Sequence, residues 1–126
     1  MKKLSGLLVL GMLLVVTNLT LAGPKNTVND NVEETLLVGL NSDNLGLKTS
    51  SAYFLGEYGT SKSVIPLMKV LKSGKTEEER ISAAVALSKI NSDVARFAIK
   101  QRAKFDESER VRKQCALCYQ ESSLTK

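Results

Sequence analysis

Apolar residues recur at three- and four-residue steps from about Val32 to about Gln120, as in Leu36, Leu37 and Leu40 or in Ile81, Ala84, Val85, Leu87 and Ile90. That spacing collects them on one face of a helix. The alternation and Asn-Gly turns that announce strands and hairpins are missing, so the expected class is all-α. Breakers divide the pattern into six helices: about Asn31 to Leu40, Asn44 to Tyr58, Ser61 to Lys72, Thr76 to Ile90, Asp93 to Lys104 and Glu107 to Glu121. Thr76 with Glu79 spells a capping box. Ser92, Asp93 and Asp106 suit helix starts, where their oxygens accept from free backbone N–H groups. Gly59 and Gly74 suit helix ends, where glycine reaches the left-handed conformation cheaply. Leu45-Gly46 is a poor start, and Pro66 inside the third helix predicts a bend.

The second, fourth and sixth helices superpose at a spacing of 32 residues without a gap. Lys48, Arg80 and Arg112 share a column, as do Ser51, Ala83 and Cys115, then Ala52, Ala84 and Ala116, and Leu55, Leu87 and Tyr119. Small residues fall where helices must approach and large ones where a gap must be filled. The intervening helices, with Leu36/Leu40, Ile65/Met68/Leu71 and Ile99/Phe105, match after a shift for loop length. A helix pair that cannot bury its apolar faces alone, stacked three times, is the architecture this predicts.

Leu55-Gly56-Glu57-Tyr58-Gly59 followed by Val64-Ile65-Pro66-Leu67 and Leu71, and Asp106 followed by Val111-Arg112, Cys115 and Ala116, resemble the short HEAT repeats. These occur in bacterial HEAT-repeat proteins and in bilin lyase subunits. The resemblance covers roughly residues 33 to 120 and implies an α-α superhelix, a short solenoid of about three HEAT-like helix pairs. Lys48 stands where the family pattern has Arg. The motif encodes packing and turns, so a lyase-like accessory subunit that binds a pigment or other small ligand is an alternative by analogy only.

The start of the chain has a different pattern. Met1-Lys2-Lys3 precedes an apolar run from Leu7 to Val16, and Thr20-Leu21-Ala22 precedes Gly23-Pro24. This reads as a secretory signal peptide over residues 1–22, cleaved after Ala22 to give a periplasmic or secreted product with no membrane insertion after cleavage. A retained anchor is the alternative. Residues 23–31 are rich in turn formers and are expected to be a flexible leader, residues 32–121 the repeat domain and 122–126 a tail.

Composition then narrows the chemistry. The 126 residues include 18 Lys plus Arg, 13 Asp plus Glu and no His, which removes imidazole-based nucleophile arrangements and His-ligated zinc. Gly23 to Thr60 carries 2 basic and 5 acidic residues, Val94 to Lys126 carries 8 basic and 4 acidic, a polarity compatible with head-to-tail self-association. With no basic stripe and scattered tyrosines, nucleic acid is not an expected partner. Glu77, Glu78 and Glu79 read as a solvated helix start, no nucleophile has an identifiable base, and neither a metal nor a cofactor is expected. The expectation is therefore a non-enzymatic protein-binding scaffold.

Cys115 and Cys118, three apart in mid-helix, fit poorly to disulfide geometry and lack further zinc ligands, so buried small hydrophobes are the favoured reading. A labile disulfide, a thiol-based sensor or an intermolecular site stays open. Lys48, Arg80 and Arg112 are expected to pair with acids and carbonyls of the turns, Asp106 and Glu77 among them; an anion-binding ladder is the alternative. Three outward columns of the repeated helices form the candidate protein-binding surface: Ser50/Ser82/Gln114, Tyr53/Val85/Leu117, and Glu57/Lys89 continuing to Glu121. The apolar column between two polar ones suits an extended peptide on a concave face, and the C-terminal end, which lacks an evident polar cap, is a second docking candidate.

Overall fold

A computed structural model describes residues 27–125. The chain divides into two units, residues 1–31 and 32–126. Of the first only Thr27 to Asn31 are described, and they are helical; the second holds the helical array. The signal-peptide reading lies outside the described residues. Six α-helices follow one another: α1 Thr27–Leu40, α2 Leu45–Tyr58, α3 Val64–Ser73, α4 Glu77–Ile90, α5 Asp93–Phe105 and α6 Glu109–Leu124, with a 3-10 turn at Ser61–Ser63 ahead of α3. No strand occurs among the described residues. The fold is all-α, a short helical solenoid in which α2, α4 and α6 pack side by side in that order and α3 and α5 pack against them.

The 32-residue period is visible in the helix starts. Asn44, Thr76 and Ser108 cap α2, α4 and α6, each side-chain oxygen accepting from the N–H three residues on, Leu47, Glu79 and Val111. Thr60 and Ser92, again 32 apart, cap the 3-10 turn and α5. The capping box at Thr76 is complete: Thr76 Oγ1 accepts from Glu79 N at 3.2 Å and Glu79 Oε2 from Thr76 N at 2.9 Å. Asn44 supplies the oxygen that lets Leu45-Gly46 open a helix despite its low propensity.

Several boundaries differ from expectation for physical reasons. α1 begins at Thr27, so residues 27–31 of the expected leader are helical; residues 23–26 lie outside the described residues. α6 runs to Leu124 and takes in most of the expected tail, where Ser122 and Ser123 return hydroxyl hydrogen bonds to the Tyr119 carbonyl. Asp106 is not a helix start. It ends α5, and its carboxylate accepts from Ser108 N at 2.9 Å, leaving Ser108 to cap α6. Pro66 is the third residue of α3, where its missing N–H has no intrahelical acceptor to lose; the irregularity is the 3-10 turn just before it. Gly59 and Gly74 end helices in extended rather than left-handed conformations. Glycine is needed there for space, because a Cβ at 59 would lie 2.3 Å from the Leu55 carbonyl and one at 74 would lie 2.6 Å from that of Val70. The left-handed cap is Asn91, at φ 52°.

The core is one cluster of Leu40, Leu55, Leu67, Leu71, Leu87, Ile99 and Val111, with alanines at 52, 83, 84, 86 and 95 filling the close contacts. Each fully buried leucine contributes roughly 1.5–3 kcal/mol. α2 and α4 approach closely at Gly56, where a Cβ would sit 2.9 Å from the Ala86 Cα. Among the first-of-pair helices the inward set is adjusted: Leu67 and Val70 are buried, whereas Ile65 and Phe105 are exposed. Ala52 and Ala84 have no accessible surface, but their column mate Ala116, on the outer side of α6, is exposed.

Polar contacts tie the pairs together. Glu33 of α1 is buried, and its carboxylate accepts from Thr60 N, Thr60 Oγ1 and Ser63 Oγ at the start of the second pair. Burial acts to raise its pKa, but those hydrogen bonds, with the charge of Lys62, outweigh it and hold the carboxyl below its ordinary value. The Lys48/Arg80/Arg112 column is structural, as its favoured reading had it. Lys48 Nζ reaches Glu79 at 3.2 Å. Arg80 forks, with Nε and Nη2 at 3.0 and 3.2 Å from the two Asp106 oxygens and Nη1 at 2.8 Å from the Gly74 carbonyl. Arg112 Nη1 takes the Asp106 carbonyl at 2.6 Å, not the carboxylate, and Glu77 serves Ser108 and Arg110 instead of Arg80.

Candidate interaction surface

Because α2, α4 and α6 lie side by side in a common register, residues 32 apart become lateral neighbours. Glu57 of α2 and Lys89 of α4 show this directly, forming an ion pair across the two helices. The pairing raises the Lys89 pKa, chiefly through the hydrogen bond to Glu57. Lys89 Nζ also stands 4.6 Å from the centroid of the Tyr53 ring, a cation-π distance. Three of the nine candidate residues, Tyr53, Glu57 and Lys89, thus form a contiguous group, while Glu121 is exposed on α6.

The others are distributed less evenly. Ser50 is exposed on α2. Ser82 is half-buried with its hydroxyl donating to the Glu79 carbonyl at 2.9 Å, and Gln114 is half-buried on α6. Val85 packs against the core with only part of its surface outward, while Leu117 is exposed. The middle column is therefore apolar throughout but recessed at its centre, with raised ends at Tyr53 and Leu117.

Two aromatic residues outside the candidate set extend this surface. Phe54 meets Tyr53 edge-on, with centroids 5.3 Å apart and planes at 79°, and stacks with Tyr58 at 6.4 Å and 14°. Tyr53, Phe54 and Tyr58 are 52, 44 and 67% exposed. A signal for them exists in the sequence. Phe54 shares its column with Ala86 and Cys118, and Tyr58 with Ile90 and Ser122; Ala86, Cys118 and Ser122 are buried within the stack. For Phe54 the signal is a large aromatic in a column otherwise held by small buried residues.

The thiols of Cys115 and Cys118 are free and buried. Burial, reinforced by the neighbouring Cys118 and Asp106, pushes the Cys115 thiol up to about 12, and burial likewise raises Cys118. Neither offers a thiolate to solvent near neutral pH. Among the described residues no group of three or more His, Cys, Asp or Glu side chains is placed to hold a metal, and no helix is long and apolar enough to cross a membrane. What the surface provides is apolar and aromatic area beside a positioned ammonium, which suits recognition by contact.

No protein-family model matches the chain, and no curated protein matches it in sequence.

Proposed function

We propose that the protein is a non-enzymatic interaction module built from HEAT-like repeats, exported from the cytoplasm, that binds a partner protein across α2, α4 and α6. The observation that carries this reading is the exposed Tyr53-Phe54-Tyr58 cluster, continuous with Lys89 and followed along the row by Val85 and Leu117. Aromatic side chains contribute large contact area with few torsions to freeze, and arginine or apolar side chains of a partner stack on them well. Export rests on the apolar run and small-residue junction at residues 1–22.

The test is quantitative capture of partners from envelope extract by the native protein, by a Tyr53→Ser, Phe54→Ser, Leu117→Ser variant and by a Val94→Ser, Phe97→Ser control on α5. Loss of the same partners from the first variant and their retention by the control is the expected result. Equal capture by all three overturns the assignment of the surface. An intact mass matching residues 23–126 in the extracytoplasmic fraction is expected; the full mass in the cytoplasm removes the export part of the reading.

A further inference from the structure

A cleft of about 440 Å3 opens where the end of α3, the α3–α4 loop and the end of α5 meet. Four cationic side chains line it, Lys72, Lys75, Arg80 and Arg102, against two carboxylates, Asp106 and Glu107. Arg80 and Asp106 neutralise each other, which leaves Lys72, Lys75 and Arg102 against Glu107, because Asp106 is buried and already saturated. Its Oδ2 accepts from Arg80 Nε at 3.0 Å and Arg102 Nη1 at 3.5 Å, and its Oδ1 from Arg80 Nη2 at 3.2 Å and Ser108 N at 2.9 Å. That single long contact is the only side-chain hydrogen bond Arg102 makes among the described residues. Lys72 and Lys75 are exposed and have no ion-pair partner among the described residues. Glu107 projects into water, its side chain 89% exposed and 3.8 Å from Arg80 Nη2, where solvent screens its field.

We propose that this cleft binds a phosphate group, held by the free edge of the Arg102 guanidinium and the ammonium groups of Lys72 and Lys75, with the Arg80–Asp106 pair as its floor. One planar fork suffices for a carboxylate; a fork plus two point cations suits a dianion with three outward oxygens. The competing role for these cations is to complement the negative ends of α3 and α5. The two roles separate experimentally, since dipole complementation affects stability and leaves phosphate unbound.

Inorganic phosphate is titrated into the protein at constant ionic strength while backbone amide shifts are followed by NMR. Saturable shifts confined to residues 72–75 and 102–107 are expected, weakened about tenfold by combined Lys72→Gln and Lys75→Gln. Glu107→Gln must act in the opposite sense and tighten binding about twofold or more. Shifts that fail to saturate, spread over the surface or saturate with unchanged affinity in the double variant overturn the proposal, as does a Glu107→Gln variant that binds no tighter. Sedimentation with vesicles containing phosphatidic acid, whose headgroup is a phosphomonoester, beside phosphatidylcholine ones, separates the sources of the group. Vesicle binding displaced by inorganic phosphate assigns a lipid headgroup, and phosphate binding without vesicle binding assigns a soluble phosphate or phosphate ester.

Discussion

Where the second helix pair meets the first, Lys48 sends one ammonium to Glu79 at 3.2 Å, and both side chains keep some access to water. Where the third pair meets the second, the column mate Arg80 joins two inter-helix loops at once, taking the Gly74 carbonyl of its own and the Asp106 carboxylate of the next, with Asp106 almost wholly buried. The helix register is the same at both junctions, since the caps Asn44, Thr76 and Ser108 stand 32 residues apart. What differs is how much depends on one ion pair. A point charge with solvent access is replaceable by water; a buried fork is not, because removing one partner strands the other in a low-dielectric site.

The largest expected effect follows from that difference. Asp106→Ala leaves Arg80 buried without its carboxylate, removes the acceptor for Ser108 N and should destabilise the protein by about 3–5 kcal/mol in urea denaturation. Lys48→Ala should cost under about 1 kcal/mol, since Glu79 keeps its capping-box partner Thr76. Equal losses from the two substitutions would erase the distinction between the junctions.

A smaller effect tests how dry the second junction is. Cys115 is fully buried, in the column of Ser51 and Ala83, with its thiol raised to about 12. An unfolded thiol loses its proton earlier, so from about pH 9 upward the native state binds more protons than the unfolded state and stability falls as pH rises toward 12. Below that window the contribution is fully present. The urea midpoint of the native protein should decline between pH 9 and 11, and Cys115→Ala should flatten the decline. An unchanged slope would show that water reaches the site.

Much of this is legible in the sequence. The 32-residue column comparison placed Lys48, Arg80 and Arg112 together, ordered the three stacked helices, and put Ser51, Ala83 and Cys115 at one packed position. Thr76 and Glu79 announced their capping box because both partners of that contact are local. The contacts that escaped are non-local. Nothing within the loop sequence says that Asp106 turns back to Arg80, 26 residues earlier, in place of capping α6. The burial of Glu33 likewise depends on donors 27 and 30 residues away, although its place three residues before Leu36 and seven before Leu40 puts it on the inward face. On the candidate surface, the columns identified which residues face outward but not that Val85 would sink between Tyr53 and Leu117, since depth depends on how the neighbouring helices lean together.

The smallest expected effect asks whether the lysine alone makes the first junction weaker. Lys48→Arg supplies the guanidinium that its column mates have, and a fork at 48 could reach the carbonyl of Ser42, six residues back, as Arg80 reaches Gly74 and Arg112 reaches Asp106. The acid that completes the second junction has no equivalent, however, because the column mate of Asp106 is Gly74. A side chain at 74 is opposed by the surroundings: a Cβ would lie 2.6 Å from the Val70 carbonyl, 3.0 Å from Glu79 Cβ and 3.2 Å from Arg80 Cγ. The new guanidinium would have Glu79 as its acidic partner, much as Lys48 does, so the change in unfolding free energy should stay within about 0.5 kcal/mol of zero. A gain well above 1 kcal/mol would place the difference between the junctions in the choice of lysine over arginine. A change near zero places it in Gly74, whose lack of a side chain leaves the fork no buried acid to close on.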